Sequence, residues 1–224
     1  TLNPDACKGC ITCVKRCPTE AIRVRDGKAR ILRDRCIDCG ECIRVCPHHA
    51  KRAVSDRLAG MERFRWKIAL PAPALYGQFN NLDDVDLVLG GLIAMGFDQV
   101  FEVAAAAELV SDATRLLLSQ GLLERPVISS ACPAVLRLIR VRFPQLLGNV
   151  LPLQAPVELA ARIAKRQAAR RTGLSPAEIG CVFISPCPAK VTAAKHPLGT
   201  ARSDIDLVVS VSEVYPHLLG TMKA

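Results

Sequence analysis

The sequence predicts two unlike folding units, a small α+β module at the N-terminus and an α/β domain with a largely parallel sheet behind it. Three observations carry this prediction. Eight of the eleven cysteines lie before residue 47, in two copies of one spacing. An Asp26-Gly27 pair stands between two short β-prone stretches of that same region, which is a strong hairpin signal. After Trp66 the cysteines become sparse, and short apolar runs alternate with segments of helical period, the pattern of a parallel sheet with crossover helices. The boundaries that follow are 1–56 for the module, 57–66 for a linker and 67–224 for the second domain.

In the module, Cys7, Cys10, Cys13 and Cys17-Pro18 recur 29 positions later as Cys36, Cys39, Cys42 and Cys46-Pro47. The hairpin separates the two copies. Residues 51–65 are basic and mixed and read as a connecting helix. In the second domain, residues 67–70, 99–103, 127–130, 181–185 and 206–209 read as buried strands. Residues 85–95, 104–120, 134–142 and 157–171 read as helices, the last ended by Arg170, Arg171 and Gly173, cations and a glycine stop. Arg162, Lys165, Arg166, Arg170 and Arg171 then fall on a solvated face.

Composition narrows the function classes. At 224 residues with half of them apolar and only 4% aromatic, the chain can build a sizeable aliphatic core. The formal charge is +9, but residues 1–66 hold +7 of it. No aromatic–basic interleaving accompanies the excess, so nucleic-acid binding is not expected. A basic rim suits an acidic redox partner instead. The longest candidate run, 68–82, is broken by Pro71, Pro73 and Gly77, so no membrane span is expected. The start at Thr1 suggests a trimmed chain, and no signal peptide is evident. Reduced cysteines in a regular pattern favour a cytoplasmic location over a secreted disulfide scaffold.

The doubled C-x2-C-x2-C-x3-C-P spacing points to cubane clusters. A cubane needs four thiolates at its corners; one tight loop supplies three, and the fourth comes from elsewhere. In two-cluster ferredoxins the fourth belongs to the opposite repeat. One [4Fe–4S] cluster is thus assigned to Cys7, Cys10, Cys13 and Cys46, the other to Cys36, Cys39, Cys42 and Cys17. A zinc site would show isolated C-x2-C pairs. The segment resembles bacterial-type ferredoxins, which implies a βαββαβ-like domain and electron transfer. His48 and His49 read as exposed turn residues beside a cluster loop.

Two further loops draw attention. Ser129-Ser130-Ala131-Cys132-Pro133 and Ser185-Pro186-Cys187-Pro188-Ala189-Lys190 each follow an expected strand, where ligand sites of parallel sheets form. On the residues alone they remain either a shared site or two structural cysteines. From Ala69 onward, however, the chain resembles the catalytic domain of [FeFe] hydrogenases. Residues 129–135 look like a degenerate form of the family's T-S-C-C-P-x-W signature, and residues 185–193 match the P-C-x-x-K of its second. The segment 96–102 and the order of domains add to the likeness.

That resemblance implies a ferredoxin-like α+β domain followed by a hydrogenase-like α/β domain. It makes Cys132 and Cys187 two of the four ligands of a third [4Fe–4S] or H-cluster-like centre in the complete protein. It makes Lys190 a contact of the di-iron site. Ala131 stands where the family has a proton-relaying cysteine, Ala193 where it has a glutamate, and the third, glycine-rich signature is missing. The domain is therefore expected to be incomplete at its C-terminus, and the chain alone is not expected to turn over H2. Cys181, on an apolar strand, reads as a small buried hydrophobe. The resemblance thus implies an iron–sulfur electron-transfer protein, sensory or regulatory, or a fragment of a larger redox protein. Its partners would be an acidic redox protein and other domains or subunits of a hydrogenase-related system. Two alternatives stay open: a catalytic hydrogenase whose remaining ligands lie outside the chain, and a ferredoxin with a cluster-free docking domain.

Overall fold

The computed structural model describes residues 1–80, 82 and 84–222. They pack as two units. The first comprises Thr1–Val54, Glu124–Val150 and Cys187–Thr192, and the second Ser55–Leu123, Leu151–Pro186 and Ala193–Ala224. Residues 124–150 and 187–192 thus pack with the cysteine-rich module, whereas the sequence division placed them with the sheet. Neither segment contains a strand of that sheet, so no backbone ladder holds it there.

The first unit keeps the internal repeat in three dimensions. Helix α1 (Thr12–Lys15), strands β1 (Ile22–Arg25) and β2 (Lys28–Ile31), and helix α2 (Glu41–Arg44) follow one another, and α2 lies 29 positions after α1. Strands β1 and β2 pair antiparallel about Asp26-Gly27, with Ile22 opposite Ile31 and Arg25 opposite Lys28. Left-handed backbone recurs at matched positions, Gly9 (φ 69°) with Asp38 (φ 53°) and Glu20 (φ 54°) with His49 (φ 46°). At Gly9 a side chain has no room, because a Cβ there would run into the Gly27 carbonyl. An isolated antiparallel bridge, Leu2 to Lys51, ties the two ends of the module together.

In the second unit, β3 (Trp66–Pro71), β4 (Gln99–Val100), β5 (Ile179–Ser185) and β6 (Leu207–Ser210) form a parallel sheet in the order β4-β3-β5-β6. Every residue of β5 is buried, as expected for a strand covered on both faces. Alternate residues face opposite ways. Ala69, Val182, Ile184 and Val209 meet Val88 and Leu92 of α3 (Asp86–Ala94), and Val214 and Leu218 of α8 (Val211–Met222). On α3, Gly91 lets α8 approach closely: a Cβ there would lie 2.7 Å from Leu218 Cδ1. Helix α4 (Val103–Ser119) packs on α6 (Pro156–Thr172). From α6, Ala160, Ala161, Ala164 and Ala168 are fully buried, and the Cys181 thiol reaches the Ala161 carbonyl at 3.6 Å.

The α/β class and the parallel sheet agree with the sequence, and several local expectations do not. Residues 127–130 are not a strand; only Ile128 forms an isolated bridge, to Val150. The strand expected at 99–103 stops at Val100 because α4 begins at Val103. The linker is not an α-helix: a 3₁₀ turn covers Leu58–Arg63, and Asp56 pairs with β6, its N–H donating to the Val208 carbonyl at 2.9 Å. Helix α5 (Pro133–Arg142) matches its expected span, but α7 (Pro188–Lys195) and α8 were not anticipated, α8 because Pro216 lies within it. Lys165 is not solvated: it is 7% exposed and paired with Asp206 at 2.7 Å.

Candidate metal centre

The geometry of the first ligand loop follows from its backbone. Gly9 turns the chain in the left-handed region, α1 turns it back after Cys10, and Cys13 is carried inward on that helix. Cys7 and Cys13 are buried and Cys10 is exposed. Cys46 arrives from the second repeat, held by the Ala50 N–H, which donates to its sulfur at 3.4 Å. The matching bond in the other half runs from the Ala21 N–H to Cys17 Sγ at 3.2 Å. Cys7, Cys10, Cys13 and Cys46 line one cavity, with Lys51, Ala29 and His48 among its other walls.

The electrostatics link thiols across the repeats. Backbone N–H groups near Ala29 and Gly9 hold the Cys7 thiol below its ordinary range, helped by Lys28 and Lys51. Burial raises Cys13; Cys10 and Cys46 add to the rise, and Lys51 opposes it. Cys36 is pushed up to about 11, chiefly by burial. Cys42 is raised by burial, Lys51 opposes the rise, and Cys39, Cys13 and Cys17 add to it as neighbours. Cys13 and Cys17 come from the first repeat and Cys46 from the second, so thiols of each half stand in the other's surroundings.

These surroundings fit a four-thiolate iron–sulfur cluster. The Lys51 ammonium is buried and has no hydrogen-bond partner, an arrangement that is costly unless negative charge stands beside it. Thiolates around an iron–sulfur core supply such charge. Among the described residues no three His, Cys, Asp or Glu side chains are grouped for a single metal ion; a cubane spreads its ligands over the corners of a cube. When bound, such a group supplies one-electron chemistry. Sequence reasoning missed Lys51, placing it in a basic connector. The signal available was the break in the repeat, where Lys51 answers to Ile22 at the 29-residue offset.

The second pair of loops also meets. Lys190 Nζ donates to the Ala131 carbonyl at 2.6 Å, and this bond joins the Cys132 loop to the Cys187 loop. Cys132 is exposed at the start of α5, and Cys187 is half-buried just before α7. Arg142 of α5 reaches Glu20 at 3.3 Å, and Pro188 lies against Gly40. The remaining cysteine, Cys181, is fully buried, and burial raises its thiol strongly. Two thiols do not complete a four-thiolate centre, so the residues present do not fit a whole H-cluster. Exposed in a turn, His48 borders the first cavity, while His49 takes left-handed backbone.

A small repeated thiolate module and a parallel-sheet α/β unit define an iron–sulfur protein of composite build. Residues 66–219 match the family described as iron only hydrogenase large subunit, C-terminal domain, and residues 1–47 match the 4Fe-4S dicluster domain. The chain belongs to the iron-only hydrogenase large-subunit family and carries a ferredoxin-like iron–sulfur domain. It is 28% identical to the periplasmic [Fe] hydrogenase large subunit of Nitratidesulfovibrio vulgaris, over 93% of this chain and 54% of that protein. It is 27% identical to the cytosolic Fe-S cluster assembly factor NAR1 of Neosartorya fischeri, over 56% of this chain and 25% of that protein. A solved variant of the [FeFe]-hydrogenase HydA1 from Chlamydomonas reinhardtii shares the fold, with a TM-score of 0.60 and 22% identity, covering 73% of this chain and 46% of that one. The chain spans about a quarter to a half of the length of the curated relatives it matches. No helix among the described residues is long and apolar enough to cross a membrane.

Proposed function

We propose that this chain is the electron-carrying part of a hydrogenase-related protein of sensory or regulatory type, with two [4Fe–4S] clusters in residues 1–56. One cluster takes Cys7, Cys10, Cys13 and Cys46, and the other takes Cys36, Cys39, Cys42 and Cys17. The observation that supports this best is the cavity where three thiols of one repeat and one of the other line the walls beside an unpartnered ammonium. Each cluster takes up or gives up one electron. The basic excess of residues 1–66 steers an acidic redox partner, and the regular cluster-type spacing of the cysteines suits the cytoplasm.

Two features favour sensing over turnover. Alanine occupies positions 131 and 193, where the resemblance calls for a thiol and a carboxylate, and only Cys132 and Cys187 stand ready at the second pair of loops. One relative is named for cluster assembly rather than hydrogen chemistry, so the family's fold also serves other ends. The test is anaerobic reconstitution followed by iron and sulfide analysis. About eight of each per chain supports the reading; about four or fewer overturns it.

A further inference from the structure

Lys51 is fixed by its backbone before its side chain does anything. Asn3 N donates to the Ala50 carbonyl at 2.7 Å, and Arg52 N donates to the Thr1 carbonyl at 3.1 Å. Thr1 N returns a bond to the Arg52 carbonyl at 2.7 Å. With Leu2 bridged to Lys51, residues 50–52 are held as an extended segment along the N-terminus. The side chain turns inward: Lys51 is 4% exposed, and its Nζ is shielded from solvent and donates no hydrogen bond. The neighbouring Lys28 differs, since its ammonium is engaged by the carbonyls of Pro4 and Cys7 at 2.6 and 2.9 Å.

The cavity that Lys51 lines contains four thiols and no carboxylate. A buried ammonium without a counter-charge is strongly penalised, and nothing in the wall except the thiols can compensate it. The other repeat is different. There the position 29 residues earlier is Ile22, 2% exposed and packed in the module's apolar core. The two thiolate sites share their spacing but not their charges: the buried Lys51 stands at the first where the second has Ile22, and Asp38, which accepts from Cys36 Sγ at 3.6 Å, stands at the second where the first has Gly9.

We propose that Lys51 is the buried counter-cation of the cluster held by Cys7, Cys10, Cys13 and Cys46, and that it keeps this cluster at a higher reduction potential than its partner. The inference rests on the two-cluster reading above. In the step concerned, one electron passes from a redox partner protein to an oxidised cluster. The cluster with its four thiolates goes from about −2 to about −3, and no proton moves. A fixed cation in a low-dielectric site favours the more negative state. Lys51 therefore acts as a positioning charge, and electrons settle preferentially on its cluster.

The test is an EPR-monitored redox titration, with dithionite as reductant, of the reconstituted native chain and of Lys51→Met and Lys51→Arg. Methionine keeps the length and burial of the stem, and arginine keeps the charge. The expected result is full iron content in all three. In Lys51→Met, one of the two one-electron steps loses about tenfold in its equilibrium constant for reduction, which is 59 mV for one electron. The other step, whose Cys42 also feels Lys51, shifts in the same direction but by less, and Lys51→Arg stays near the native values. Loss of one cluster in Lys51→Met but not in Lys51→Arg also supports the proposal, since charge alone separates the variants. Both steps unchanged in Lys51→Met would overturn it. Equal loss of iron in both variants would overturn it too, by making the role one of packing. A native chain that fails to take two clusters defeats the two-cluster reading instead, and the iron analysis of the native protein separates that case from the others.

Discussion

Replacing Cys46 by Ala removes one of the four thiols around the first cavity, and the loss should fall on the cluster of the first repeat. The magnitude follows from crossed ligation. A chain with two cubanes holds about eight iron atoms, and Cys46→Ala should hold about four. The double variant Cys10→Ala/Cys46→Ala should then still hold about four, because both thiols serve one cluster. Cys39→Ala/Cys46→Ala should hold almost none, because those thiols serve two. Ligation within each repeat predicts the reverse, with almost none in the first double variant and about four in the second. Stability should fall as well. The cluster joins Cys13 to Cys46 across a loop of 34 residues, and a cross-link of that span stabilises by roughly 4 kcal/mol on the chain-entropy estimate. Iron and sulfide analysis of the anaerobically purified variants is the assay, with urea unfolding beside it. Four iron atoms in the Cys39/Cys46 double variant would refute the crossed assignment.

Two other outcomes are expected. Asp56 accepts from the Val208 N–H at 2.9 Å and pairs with Lys195 at 2.7 Å, so Asp56→Ala should lower stability by about 1–3 kcal/mol; an unchanged urea midpoint would show that this clamp on β6 is idle. Matured with a synthetic di-iron cofactor, the chain should evolve hydrogen at least about 10²-fold more slowly than a standard [FeFe] hydrogenase, because Ala131 and Ala193 provide no proton-transfer group. Comparable rates in a gas-chromatographic assay would restore the enzyme reading.

Much of this molecule was legible in its sequence, for reasons that also explain the misses. Strands β3, β5 and β6 were readable because a strand buried on both faces is a continuous apolar run bounded by polar residues. The hairpin was readable because Asp26-Gly27 takes left-handed backbone at both positions. Residues 127–130 gave the same apolar signal without the same outcome, since only Ile128 finds a bridge and β-propensity does not supply a partner strand. Helix α8 was hidden by Pro216, which forfeits one backbone bond; packing of Val214 and Leu218 into the core outweighs that loss. In the sequence Lys165 reads as part of a solvated face and Lys51 as part of a basic connector, yet both are buried. Burial of a lysine depends on what tertiary structure brings to it, Asp206 for Lys165 and, for Lys51, a cavity three of whose four thiols come from the first repeat, far off in sequence. The strand-end positions of the Cys132 and Cys187 loops left their meeting through Lys190 and Ala131 open beside two separate structural cysteines, and the family resemblance favoured the meeting.

The most direct measurement is the number of electrons the reconstituted chain accepts. A coulometric titration under argon, followed by EPR, should show two electrons per chain in two one-electron steps. The fully reduced sample should give an interaction-broadened spectrum from two neighbouring paramagnetic clusters. A single electron per chain, with one unbroadened signal, would contradict a two-cluster electron carrier.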